Sequence, residues 1–95
     1  MVDDTHLVLR ALKGERDKYG ELVEKYQKPL LGLAFSYVQN YQDAQDIVQD
    51  ALIVGYRQLA SLRQPHRFDA WIRQITINIS KSHLRKQRRN QQQSD

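Results

Sequence analysis

Apolar side chains return every three or four residues in four stretches of this chain, separated by short polar breaks, the pattern of helices that each bury one side. The first, Val2 to Lys13, sets Leu7, Val8, Ala11 and Leu12 on one face behind the candidate caps Asp3, Asp4 and Thr5, and Gly14 ends it. The second, Arg16 to Val38, carries Tyr19, Leu22, Val23, Tyr26, Leu30, Leu33, Ala34 and Tyr37. Leu31 and Phe35 fall off that stripe, which predicts a helix sandwiched between neighbours, and Pro29 predicts a bend and not a break because the apolar phase survives it. A polar connection over Gln39 to Gln42 then predicts an antiparallel hairpin.

The third stretch starts at Asp43, a candidate cap, and runs to about Ser61, with Ala44, Ile47, Val48, Ala51, Leu52, Gly55, Tyr56 and Leu59 inward. LRQPHR over Leu62 to Arg67 is a loop whose Pro65 holds Gln64 extended. The fourth stretch, Arg67 to Arg88, buries Phe68, Trp71, Ile72, Ile75 and Ile79. Within it, ITINI over Ile75 to Ile79 alternates at a strand's period, but helical phase on both sides keeps it helical. The expected fold is all-α: a compact bundle of three core helices plus a short N-terminal one. Residues 1–89 make the domain, and 90–95, without apolar periodicity, read as a polar tail or the start of a linker.

Two outer faces are left over by this packing. On the third helix, Asp43, Asp46, Gln49, Asp50, Ile53, Val54 and Arg57 share the outward side, where branched apolar residues follow carboxylates. That mixture fits an acidic-rimmed docking patch, and it equally fits a solvated face with incidental apolar residues. On the fourth, Gln74, Asn78, Lys81, Arg85 and Arg88 form a stripe about 21 Å long at 1.5 Å per residue. Such a stripe spans about six nucleotides at roughly 3.4 Å each, and it too can be a plain solvated face.

Charge sharpens that choice. The net charge of +4 is uneven: residues 1–66 hold eight cations and nine anions, whereas 67–95 hold seven cations and two anions. A basic late helix is the footprint of a nucleic-acid contact, although basic helix C-termini also arise from the helix dipole. Ninety-five residues with 40% hydrophobic content support one small core and leave no room for a second domain. Without cysteine, and with His6, His66 and His83 isolated, no metal ligand set or disulfide is expected, and no cofactor. The carboxylates Asp43, Asp46 and Asp50 lie on the outside of one helix and enclose no coordination sphere. Scattered Ser and His residues supply no catalytic pair, so an enzyme is not expected. No apolar run has the length of a membrane span or signal-peptide core, which predicts a cytoplasmic protein with no membrane partner.

DAQDIVQDALIVGYRQL, from Asp43 to Leu59, followed by F-x-x-W-I at Phe68 and Trp71, resembles region 2 of bacterial sigma factors of the extracytoplasmic-function group. In that family the first helix holds the clamp-helix coiled coil of the RNA polymerase β′ subunit. The resemblance therefore implies polymerase binding for Asp43, Asp46, Gln49, Asp50, Ile53, Val54 and Arg57. It implies that the F-x-x-W-I helix, the fourth stretch, and the loop before it contact the non-template strand of the promoter minus-10 element while the duplex opens. Arg73, Asn78, Lys81 and Arg85 are implicated on the helix, and Gln64, Pro65, His66 and Arg67 in the loop, where an extruded base would be read. Physical chemistry agrees: cations neutralise phosphates, Asn78 offers a base edge both a donor and an acceptor, and a loop can enclose a flipped base. Trp71 shares the buried side with Ile72 and Ile75 and is expected in the core.

Departures from the family pattern are Val54 where a basic residue is frequent, Gly55 where alanine is usual, and QPHR where the loop is normally small and rich in Gly and Ser. The family also carries a linker and a helix-turn-helix domain for the minus-35 element, which this sequence does not supply, as expected of an excised domain or a short protein. Docking on core polymerase and melting of the minus-10 element is thus the expected function, with an anti-sigma factor as a further partner raised by the resemblance. A stand-alone duplex-binding regulator and a protein-interaction module without DNA binding are the alternatives. Charge reversal at Asp46 and Asp50 against Lys81 and Arg85 separates them.

Overall fold

The apolar stripes close into four helices in a computed structural model that describes residues 4–93, with side chains to 91. They are α1 (Thr5–Leu12), α2 (Arg16–Val38), α3 (Tyr41–Arg57) and α4 (Phe68–Gln93), and no strand occurs among the described residues. ITINI is helical, as its flanking phase requires. Val2 and Asp3, expected in the first helix, and Ser94 and Asp95 of the polar tail lie outside the described residues.

Asp4 stands at the α1 N-cap position but does not cap. Its carboxylate accepts instead from Lys25 Nζ at 2.6 Å and from the Tyr26 hydroxyl, so a buried anion is matched by a cation and a donor on α2. The Tyr26 phenol is pushed up in pKa by burial, and further by that carboxylate. Of the expected α1 face, Val8 and Ala11 are buried, but Leu12 is exposed. Gly14 follows with φ of 100°, a conformation that suits glycine and closes the helix.

Along α2, Tyr19, Leu22, Tyr26, Leu30, Ala34 and Val38 are buried, and the helix continues through exposed Pro29. Leu31 packs partly against the core, but Phe35 is exposed, so the expected sandwich covers only part of that second side. The hairpin is tighter than its polar run suggests. Gln39, left-handed at φ 54°, donates its N–H to Phe35 O at 2.8 Å, and Asn40 follows it into α3. The α3 cap is Asn40 and not Asp43, because only its side-chain oxygen, three residues earlier, reaches the Asp43 N–H, at 2.9 Å.

Ala44, Ile47, Val48, Ala51, Leu52 and Gly55 turn inward on α3, which packs against both α2 and α4. Close approach explains the glycine where alanine is usual: a methyl group on Gly55 would lie 2.7 Å from Ile72 Cδ1 and 2.9 Å from the Tyr19 hydroxyl oxygen. The helix stops at Arg57, earlier than expected, and Leu59–Ser61 tighten into a 3-10 turn that buries Leu59 ahead of buried Leu62. Tyr56, expected inside, is exposed at this end.

The buried line of α4 is Phe68, Ile72, Thr76 and Ser80. Trp71, Ile75 and Ile79 flank it, partly buried, so the helix is rotated from the all-apolar face expected of it. The two hydroxyls bury without cost in unmet hydrogen bonds: Thr76 Oγ1 donates to Ile72 O and Ser80 Oγ to Thr76 O, each at 2.9 Å. Their small size lets α4 lie close to its neighbours. The helix also passes Arg88 and continues to Gln93, since Lys, Arg and Gln are good helix formers even where no core holds them.

Candidate functional site

Three features gather the candidate residues. The first is a groove of about 530 Å³ between α2 and α3, lined by Tyr19, Val23, Gln27, Gln49, Leu52, Ile53, Tyr56 and Arg57. Tyr19 shapes it. Its hydroxyl donates to Leu52 O at 2.5 Å, its ring meets Tyr56 edge-on at 4.9 Å, and burial pushes its phenol up to about 12. Gln49, Ile53 and Arg57, expected on this surface, line the groove, and the exposed Asp46 and Asp50 share their helix. Val54 is half-buried. Tyr19, Val23 and Gln27 were not legible as site residues, although their spacing of four along α2 already places them on one edge of that helix.

The second feature is the loop before α4 and the pocket beneath it. Gln64 is extended, and Pro65–Arg67 form a 3-10 turn. An open pocket of about 360 Å³ is lined by Leu62, Arg63, Gln64, Arg67, Ala70 and Trp71. Thus two of the four expected loop residues, Gln64 and Arg67, line it, while His66 is exposed and Pro65 half-buried elsewhere on the turn. Trp71, expected in the core, packs there and on the Phe68 ring at 5.9 Å, and its half-buried side also walls the pocket. Ala70 is the signal that was missed, since a small residue one turn into the helix leaves room.

The third is the α4 stripe. Gln74, Asn78, Lys81, Arg85 and Arg88 are all exposed. Gln74 Nε2 donates to Asn78 Oδ1 at 2.9 Å, so the two amides hold each other in place. Arg73 is tied to Asp69 at 2.6 Å, whereas Lys81, Arg85 and Arg88 have no ion pair among the described residues. Cations without internal partners on a helix face retain their charge for a polyanion. One expected docking residue stands apart: the Asp43 carboxylate is turned to α4, where His83 Nε2 lies at 3.1 Å and Gln87 Nε2 at 3.3 Å. Among the described residues no cluster of three acidic or histidine side chains is close enough to hold a metal ion, and no helix is long and apolar enough to cross a membrane.

A helical hairpin with an acidic and apolar outer side leads here into a helix with an amide and cation stripe, and the chain belongs to the sigma-70 region 2 family, which it matches over residues 22–90. It is 41% identical over 81 residues to the RNA polymerase sigma-H factor of Pseudomonas aeruginosa, covering 85% of this chain and 42% of that one. It is 37% identical over 92 residues to the ECF RNA polymerase sigma-E factor of Escherichia coli K12, covering 97% and 48%. The chain therefore spans less than half the length of these relatives. Its fold superposes with a TM-score of 0.85, at 35% identity and over 94% of this chain and 93% of the other, on an engineered region 2 of sigmaE solved by NMR in complex with GTAAAA.

Proposed function

We propose that the domain docks on core RNA polymerase through the α2–α3 groove and captures the displaced non-template strand of the promoter minus-10 element with α4 and its loop. The observation that carries this reading is the alignment of exposed Gln74, Asn78, Lys81, Arg85 and Arg88 beside a pocket at Gln64 and Arg67, in a fold shared with a region 2 complexed with GTAAAA. Lys81, Arg85 and Arg88 neutralise phosphates, and Arg73 joins them by exchanging its exposed pairing with Asp69 for a phosphate. Asn78 and the loop residues Gln64, Pro65, His66 and Arg67 read base edges, one of them turned into the pocket. Asp46, Gln49, Asp50, Ile53, Val54 and Arg57 meet the β′ clamp helices. The domain works by binding energy and not by bond chemistry: it favours the open promoter only through higher affinity for the exposed strand. Its place of action is the cytoplasm, and an anti-sigma factor that covers either surface would silence it.

The test is binding of the domain to a purified β′ clamp-helix fragment and to single-stranded GTAAAA, with Asp46→Arg and Lys81→Glu variants beside the parent. The expected result is that the first variant loses only the fragment and the second only the oligonucleotide. A folded parent that binds neither would leave the family fold without the family function.

A further inference from the structure

The core runs out along α4 before its cations do. Ser80 is the last buried residue of the helix, Leu84 is half-buried, and every described side chain from Arg85 onward is exposed. Lys81, Arg85 and Arg88 therefore stand on a part of α4 that apolar packing scarcely holds. What meets this part is Asp43 of α3, whose Oδ2 lies 3.1 Å from His83 Nε2 and 3.3 Å from Gln87 Nε2, with the acid and imidazole side chains 28% and 31% exposed. At about 100° per residue, His83 and Gln87 project from the side of the helix opposite Lys81, Arg85 and Arg88. The carboxylate thus grips the helix from behind while the cations face outward.

We propose that Asp43 is a positioning residue for the DNA-reading helix and not a polymerase contact: through His83 and Gln87 it fixes the direction of the Lys81, Arg85 and Arg88 stripe relative to the docking helix. This rests on the proposed function and accounts for the absence of Asp43 from its docking surface, where the sequence had placed it. A held stripe meets a nucleic-acid strand without first losing its freedom, so the bridge raises affinity by preorganisation. It also joins the docking helix to the DNA-reading helix at one side chain.

The test uses the whole chain with Asp43→Ala, His83→Ala, the double variant and the conservative Asp43→Asn, which keeps an acceptor. Amide hydrogen exchange over residues 81–91 should quicken in Asp43→Ala, and affinity for single-stranded GTAAAA should fall about three- to tenfold, the range of one or two half-exposed hydrogen bonds to a charged group. The double variant should be no weaker than Asp43→Ala, since both break one bridge. Asp43→Asn should recover most of the loss, and clamp-helix binding should stay within about twofold of the parent throughout. Unmoved exchange, or quickened exchange with unchanged GTAAAA affinity, overturns the proposal. So does loss of clamp-helix binding in Asp43→Ala with DNA affinity kept, because that places the carboxylate in the dock. A parent that itself fails to bind GTAAAA removes the proposed function first, and the positioning role falls with it.

Discussion

The groove between α2 and α3 and the outer stripe of α4 are built on opposite principles. The groove has shape: Tyr19 is 6% exposed, hydrogen-bonded to Leu52 O and packed so close to Gly55 that a methyl group there would have to displace it, and Leu52, which also lines the groove, is core. The stripe has charge and reach but little shape, with its cations Lys81, Arg85 and Arg88 exposed beyond the last buried residue of their helix. A surface of the first kind recognises a partner by complementarity and is lost when packing is lost. The second kind recognises a polyanion, tolerates changes of sequence, and fails in salt.

The largest perturbations should erase the contrast by removing the scaffold that both faces share. Phe68 is 1% exposed and meets the rings of Tyr19, Tyr26 and Trp71, so Phe68→Ala should cost about 3–5 kcal/mol, read as a lowered denaturation midpoint, with both faces failing together. Gly55→Val should cost about 1–3 kcal/mol by overpacking against Ile72 and Tyr19. Gly55→Ala should cost less, because roughly 1 kcal/mol of helix propensity is regained. With valine, clamp-helix binding should suffer more than DNA binding, since Tyr19 lines only the groove; equal losses would show that the groove has no shape of its own to lose.

Two changes should separate the faces without touching the core. Ile53→Glu, at an exposed position, should shift stability by no more than about 0.5 kcal/mol and weaken clamp-helix binding by about tenfold or more, about 1.4 kcal/mol, with GTAAAA binding unchanged. For the parent, the log of GTAAAA affinity against the log of salt should have a slope near −3, from about four cations at roughly 0.7 each. Lys81→Gln with Arg85→Gln should halve that slope, and a slope that does not move would put the phosphates elsewhere.

The smallest effect sharpens the account of the groove. Tyr19→Phe should lose about 1 kcal/mol at neutral pH, one buried hydrogen bond. The parent phenol sits at about 12 in the folded chain against an ordinary 10.0, so its contribution is complete below pH 10 and is lost as pH rises toward 12. Pairwise melts of parent and variant over that interval should therefore converge and then cross, since the rise from 10.0 to about 12, at about 1.4 kcal/mol per pH unit, exceeds the advantage of one hydrogen bond.

Helices were legible because each buries a stripe, and a stripe leaves a period in the sequence. What stayed illegible depends on distance or on competition. Asn40 and Asp43 are both good caps, and only the backbone turn at Gln39 decides between them. Thr76 and Ser80 add nothing to the apolar stripe, yet they are central on α4 because their hydroxyls are satisfied within the helix. Asp43 looks like its neighbours Asp46 and Asp50, and nothing nearby reveals that it faces His83, forty residues on. Arg73 belongs to the basic helix by count, but Asp69 one turn earlier already holds it. Of the pocket, Gln64 and Arg67 were visible as loop residues, whereas Ala70 and Trp71 come from a helix and needed the fold to be placed.

The family match begins at Leu22, but the folded unit does not. Val8 and Tyr19 lie before that boundary and are core residues, and Asp4, also before it, takes the Tyr26 hydroxyl as its partner. Tyr26 in turn stacks edge-on against Phe68 at 5.3 Å, at the root of the helix that carries the stripe. Cutting the gene at the edge of the family match would thus sever the domain through its interior, and the loss would pass through Tyr26 to Phe68, where the stripe-bearing helix begins.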